Sequence, residues 1–225
     1  MSGWLEQQGG VFLHQPEDLA ERLGQIRALV FDWDGVFNRG EKGYAGSSGF
    51  SEADSMGVNL LRYALWRRDG RLPAVAIITG EQNTAAAQFA EREHLHALYE
   101  RVKDKSRAMT HFRDRYGLSA HEILCVFDDV NDLAMAKECG IRILIRRSIS
   151  KLMRDYFLGK RYFDYLTASE SGNYAVRETT ELMMDLLGNF AAVVESRVAH
   201  DEAYRDYFAI RQAIALERVV LPPSA

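Results

Sequence analysis

Cysteine is scarce in this chain: its 225 residues contain two, Cys125 and Cys139. Two thiols make no disulfide framework. That sets aside small bridge-held secreted scaffolds and leaves free, buried thiols in a reducing cytoplasm as the expectation. A basic excess is missing too. Lys and Arg number 28 against 32 Asp and Glu, a net charge of −4, so neither nucleic acid nor an anionic membrane is expected as the main partner. No apolar run nears the roughly 18 residues of a membrane-spanning helix. The opening MSGWLEQQGG has no basic segment followed by an apolar core, so no export signal is read there. Internal repeats and low-complexity tracts are also lacking.

What is present is an ordinary globular balance, 47% hydrophobic and 27% charged. Residues 1–25 read as a lead-in, with a short helix over Pro16–Leu23 closed by Gly24. From Ala28 onward the chain alternates. Strands are expected at 28–31, 74–79, 97–99, 122–127, 141–145 and 162–167, with helices at 55–68, 82–92, 105–116 and 133–138. Short strands that are apolar throughout, alternating with helices, predict an α/β fold with a doubly wound parallel sheet covered on both faces. Residues 37–53, rich in Gly and Ser, read as a small hairpin flap. Residues 174–218 read as helical, with Met183, Leu187, Phe190, Val194 and Val198 at helical spacing. The main domain is drawn at 26–188 and a long C-terminal helical extension at 189–225.

The stretch LVFDWDGVFN poses the chemical question. An apolar strand runs into Asp32 and Asp34, two like charges one residue apart. Such charges repel, and each is costly to desolvate. Polar groups recur at other strand ends and helix starts: Thr79-Gly80 after AVAII, Lys103 and Lys105 in VKDK, and Asp128, Asp129 and Asp132 in DDVND. In open parallel sheets ligands bind outside the carboxyl ends of the strands. Carboxylates gathered there call for a hard divalent cation such as Mg²⁺. With a hydroxyl, a backbone N–H and a lysine to hold phosphoryl oxygens, the set points to phosphoryl transfer on a small phosphorylated substrate.

This ordered set resembles the haloacid dehalogenase superfamily of phosphatases. The resemblance makes Asp32 the nucleophile, and Asp34 the acid/base and a metal ligand through its backbone carbonyl. Thr79, Gly80 and Lys105 become phosphate-binding groups, and Asp128 a side-chain metal ligand supported by Asp129 and Asp132. Neither gap between motifs has room for a cap domain. In the capless branch the chain is similar to the octulosonate phosphate phosphatases and their nonulosonate relatives, through DGVFNRG, ADSMG and GNYAVRE. Where that branch carries arginine, this chain has Ala53, Glu81 and Asn173. Asp54, Glu81 and Asn173 are the candidate substrate-facing residues. The resemblance implies a Mg²⁺-dependent phosphatase of a sugar or sugar-acid phosphate. It also implies a homo-oligomer, a tetramer first, with residues around Tyr204–Leu216 packed on a neighbour. The alternative is a catalytically weak relative that acts as a binding or assembly module. Lys103 is read as a surface residue. His94, His96, His111, His121 and His200 are given no site role.

Overall fold

The computed structural model describes residues 2–43, 48–147 and 151–222. Its strands are β1 (Val11–Phe12), β2 (Ala28–Phe31), β3 (Ala74–Ile78), β4 (Ala97–Tyr99), β5 (Ile123–Phe127), β6 (Ile141–Arg146), β7 (Tyr165–Glu170) and β8 (Glu217–Val219). They form one sheet in the order β1-β7-β6-β5-β2-β3-β4-β8. Only the β1–β7 pairing is antiparallel. Every residue of β2, β3, β4 and β5 is buried, as strands covered on both faces must be.

Alternate residues of those strands feed two cores. Leu29, Phe31, Val75 and Ile77 meet Val58 and Leu61 of helix Glu52–Asp69 and Met183 of helix Ala175–Leu186. Val30, Ile78, Cys125 and Phe127 meet Met109 and Phe112 of helix Lys105–Tyr116 and Phe157 of helix Lys151–Lys160. Each such side chain, fully buried, contributes about 1.5–3 kcal/mol. Four of the described α-helices begin where a polar side chain takes up orphan N–H groups, three of them in the first half of the chain. Ser51 accepts from Ala53 N at 3.1 Å, Asn83 from Ala85 N at 3.0 Å, and Asp104 from Ser106 N at 3.1 Å.

The flanks differ from expectation. Val11–Phe12 of the lead-in and Glu217–Val219 of the extension join the sheet as its two edge strands. The lines drawn at 25/26 and 188/189 therefore do not part the sheet from its flanks. The segment read as one helical run is three helices, Ala175–Leu186, Phe190–Ala199 and Glu202–Gln212. Gly188 and His200, both at positive φ, make the breaks, and Asp201 caps the third helix through Tyr204 N at 2.9 Å. Tyr204 and Tyr207, expected against a neighbour, pack instead on Tyr63 of their own chain, with ring centroids 5.3 and 4.9 Å away. The Tyr207 hydroxyl donates to Asn59 O at 3.0 Å.

In the flap region, residues 37–43 and 48–51 pair as no strand, 44–47 lie outside the described residues, and Glu52 and Ala53 already belong to the following helix. No cap domain stands over the sheet among the described residues. No helix there is long and apolar enough to cross a membrane. Both cysteines are free, Cys125 buried and Cys139 partly so.

Candidate active site

The chain enters the sheet's parallel core at β2, winds outward through β3 and β4, then returns to lay β5, β6 and β7 on the other side. The strand order thus reverses at β2, and a crevice opens at the carboxyl ends of β2, β3 and β5. The register sets three functional residues side by side. Phe31 is level with Ile77 and Val126, so Asp32, Thr79 and Asp128 follow within two residues of one another across the sheet. Lys105 joins them from the first turn of the helix after β4. The resulting cleft, of about 280 Å³, holds Asp32, Asp34, Thr79, Gly80, Lys105 and Asp128 together with Asp129 and Asp132.

Lys105 is the hinge of the cluster. Its buried ammonium donates to Asp32 and, at 2.5 Å, to Asp132 Oδ1. Burial opposes its charge, but Asp32 and Asp132 outweigh that and push its pKa up. Asp132 Oδ2 faces the backbone N–H groups of Asp128 and Asp129 at 3.4 and 3.3 Å. Burial, reinforced by the charge of Asp132 and opposed by Lys105, lifts Asp32 to about 7. Burial and then the charges of Asp32 and Asp132 lift Asp128 to about 8, against the pull of Arg147. Burial raises both, and the positive charge beside them is too little to offset it.

Thr79 is fixed by its backbone, donating to Tyr99 O at 2.9 Å and accepting from Val102 N at 3.1 Å. Asp34 lies at the mouth, where Lys42 and the Ser48 hydroxyl donate to its two oxygens. Asp129 accepts from Val130 N at 2.7 Å and so caps the short turn Val130–Asp132. Glu81 is at the rim, ion-paired at 2.5 Å with the exposed Lys103. Asn173 lines neighbouring cavities next to Arg39. Asp54 stands apart. Its carboxylate accepts Arg177 N at 2.8 Å, at the start of helix Ala175–Leu186, and burial raises it to about 6 despite that bond. His94 and His96 bind backbone instead: His94 Nδ1 meets Ile214 O at 3.0 Å, and His96 Nδ1 accepts Val75 N at 3.1 Å.

Several residues of the site carried no motif signal. Arg147 reaches Asp128 Oδ2 at 2.5 Å from the end of β6. Lys42 comes from the loop after β2. Asn38 folds that loop on itself, accepting from Gly40 N at 2.8 Å and donating to Trp33 O at 3.2 Å. Trp33, between the two aspartates, is fully buried and donates to Ser48 O at 3.1 Å. Gly35 was legible in DWDG, but its reason was not. Its φ of +90° suits glycine, and a Cβ there would overlap the Asp128 carboxylate.

The donors fit a hard divalent cation. Asp32, Asp128 and Asp132 each bring a carboxylate oxygen within 4.8 Å of the other two. All are oxygen ligands, the kind Mg²⁺ takes. Asp132, read from the sequence as support, stands in this group, while the side chain of Asp34 is engaged by Lys42 and Ser48.

No protein-family model matches the chain. Solved structures match most of it. A 3-deoxy-D-manno-octulosonate 8-phosphate phosphatase from Moraxella catarrhalis, in complex with magnesium, phosphate and a KDO molecule, is 24% identical with a TM-score of 0.67, over 81% of this chain and 99% of that one. A hydrolase from Legionella pneumophila, assigned to subfamily III A of the haloacid dehalogenase superfamily, is 25% identical with a TM-score of 0.67, over 81% and 94%. The cobalt-bound deoxy-D-mannose-octulosonate 8-phosphate phosphatase of Haemophilus influenzae is 20% identical with a TM-score of 0.63, over 75% and 93%. The chain has the fold of these haloacid dehalogenase phosphatases.

Proposed function

We propose that this chain is a phosphoric monoester hydrolase that uses Mg²⁺ and acts on a small phosphorylated metabolite, a sugar or sugar-acid phosphate. One observation carries the reading: a single cleft gathers the buried Asp32–Lys105–Asp132 triad, Asp128, and Thr79-Gly80 at adjacent strand ends. Asp32 and Asp128, with Asp132 beside them and the backbone of Asp34, would hold the cation. When bound, it neutralises carboxylate and phosphoryl charge.

The chain's own groups then divide the work. Lys105 favours the ionised form of Asp32 against the burial that opposes it. An Asp32 oxygen attacks phosphorus, and the ester P–O bond breaks as the aspartyl-phosphate forms. Asp34 gives its proton to the leaving alkoxide, then takes one from the attacking water. That water's oxygen bonds to phosphorus, Asp32 leaves as carboxylate, and inorganic phosphate is released. Thr79, the Gly80 N–H and Lys105 hold the phosphoryl oxygens as charge shifts. Lys42 and Ser48 now hold both oxygens of Asp34, so they yield it to substrate or set its orientation.

The test is phosphate release from a panel of sugar and sugar-acid phosphates, with Mg²⁺ and with excess chelator. Activity that needs the metal and vanishes in Asp32→Asn is expected. Undiminished rates in chelator, or in Asp32→Asn, overturn the reading. A weak relative that serves as a binding or assembly module is the second reading, favoured by Arg147, which already supplies Asp128 with a cation. A metal-dependent turnover on any ester of the panel rejects it. An assembly of copies, a tetramer by resemblance, goes with this reading. Sedimentation of the active protein tests this, and the cytoplasm is the location proposed with it.

A further inference from the structure

A second cavity adjoins the acidic cleft, with a volume of about 450 Å³. Its walls carry Arg39, Arg146, Arg147 and Asn173, with Glu41 and Glu170. Arg146 is committed to the fold: its guanidinium donates to Thr167 O at 2.9 Å and to Gly9 O. The other two arginines are differently placed. Arg147 lines both cavities and so forms the wall they share. Arg39 is exposed, in the loop that follows Asp32 and Asp34.

The backbone is shaped around these two side chains. Gly172, at φ +71°, lies where a Cβ would overlap the stem of Arg39. Gly40, at φ +75°, lies where a Cβ would sit 3.3 Å from Arg147 Nη2. Ser171 ties the segments together by donating to Asn38 O at 2.7 Å. Two turns in left-handed backbone thus leave room for the stem of Arg39 and the guanidinium of Arg147 at one edge of the site. Arg147 currently pairs with Asp128, a carboxylate expected to hold the cation. With Asp128 engaged by a cation, the Arg147 guanidinium would be released to meet another anion.

We propose that Arg39 and Arg147 form an anion subsite beside the phosphoryl cleft, one that selects esters bearing a second anionic group, a carboxylate or a second phosphate. The subsite rests on the phosphatase reading of the adjoining cleft. It places recognition on positions other than 53, 81 and 173, where this chain has Ala, Glu and Asn. Guanidinium forks suit both anions, and a charge-assisted hydrogen bond is among the stronger contacts a ligand can gain.

The experiment compares alditol phosphates of increasing chain length with the matched aldonic acid phosphates and bisphosphates. Wild-type enzyme with Mg²⁺ should favour at least one charged series by roughly tenfold in kcat/KM, the scale of one such bond. Which series wins separates carboxylate from phosphate. Arg39→Ala, and separately Arg147→Ala, should lower that ratio by roughly fivefold to tenfold, chiefly through KM. A structural defect would slow all esters alike and leave the ratio unmoved. A binding arm uses calorimetry on Asp32→Asn with Mg²⁺, with and without Arg39→Ala, and should show the same change in the ratio of Kd values. Equal handling of charged and uncharged esters at every length, or a ratio that survives both arginine substitutions, overturns the subsite. Hydrolysis of none of the esters overturns the phosphatase reading instead, and the binding arm still decides the subsite.

Discussion

Two clusters of buried charge stand on opposite terms in this molecule. Around Glu93 the acid is satisfied: Ser55 Oγ donates at 2.9 Å, Arg92 Nε at 2.7 Å and Asn59 Nδ2 at 2.5 Å, and Arg211 approaches to 3.5 Å. Burial would raise its pKa, but Asn59, Ser55 and Arg92 outweigh that and hold it below the ordinary value. In the cleft, Asp32 and Asp128 are as deeply buried, yet both are raised. Burial alone therefore does not separate a structural carboxylate from a working one. The count of opposite charges and donors does. The Glu93 cluster is closed and fastens the C-terminal helix, through Arg211 and Asn59, to helix Glu52–Asp69. The cleft is short of positive charge and waits for a ligand that brings it.

The sharpest test of this contrast is Asp32→Asn. Activity should fall by roughly 10³-fold or more, because an amide cannot form the aspartyl-phosphate. The melting temperature should not fall, since one of three crowded acids has been neutralised. A stable protein that keeps wild-type turnover would refute the role of the cleft. Glu93→Ala should do the reverse. It leaves Arg211 and Asn59 facing a void and should cost about 3 kcal/mol by denaturant unfolding, with normal turnover from the folded fraction. An unchanged midpoint would show that the two clusters are not different in kind.

A smaller effect is expected from pH. Asp32 and Asp128 titrate in the metal-free fold at about 7 and about 8, above their ordinary 3.8. Because both values are raised, their contribution to stability is complete below the unfolded value and is lost as pH rises through the folded values. The metal-free protein should therefore lose melting temperature from about pH 4 to about pH 8 on account of this pair. Mg²⁺ must displace those protons, so its affinity should climb by up to roughly a hundredfold per pH unit below about pH 7, by up to roughly tenfold per unit from there to about pH 8, and level off above. Titration calorimetry in buffers of different ionisation heat reads the proton release directly, and none at pH 6 would contradict it. The least effect belongs to the exposed Glu81–Lys103 pair: Lys103→Ala should leave the melting curve unmoved.

Much of this could be read in advance because the signals were local. Strands β2, β3 and β5 are unbroken apolar runs, and Asp32, Thr79 and Asp128 sit directly at their ends. The edge strands β1 and β8 were not read. Two or three residues carry no periodicity, and their pairing comes from the sheet beside them. The last strand was expected at 162–167 and lies at 165–170. Asp164, just before it, is drawn into ion pairs with Arg22 and Arg142, and the chain becomes strand only beyond that anchor. Helix Lys151–Lys160 was missed because most of its residues are exposed and only Phe157 is buried. In the site, Lys42 and Arg147 escaped notice for a tertiary reason. Each comes from a loop or strand end brought to a carboxylate by folding, with no spacing to announce it.

The charged groups at the centre of the cleft already have partners, though too few to neutralise its acids. Asp34 has Lys42 and Ser48, Asp128 has Arg147, and Lys105 has Asp32 and Asp132. Ligand entry is thus a partner exchange, with nearly as many ion pairs broken as made. The heat of metal binding, corrected for buffer, should be close to zero, and the driving force should come from released water and protons. The same exchange sets a tempo. Each arriving ion must wait for a salt bridge to open, so association should run below the diffusional rate and slow further as these bridges are strengthened.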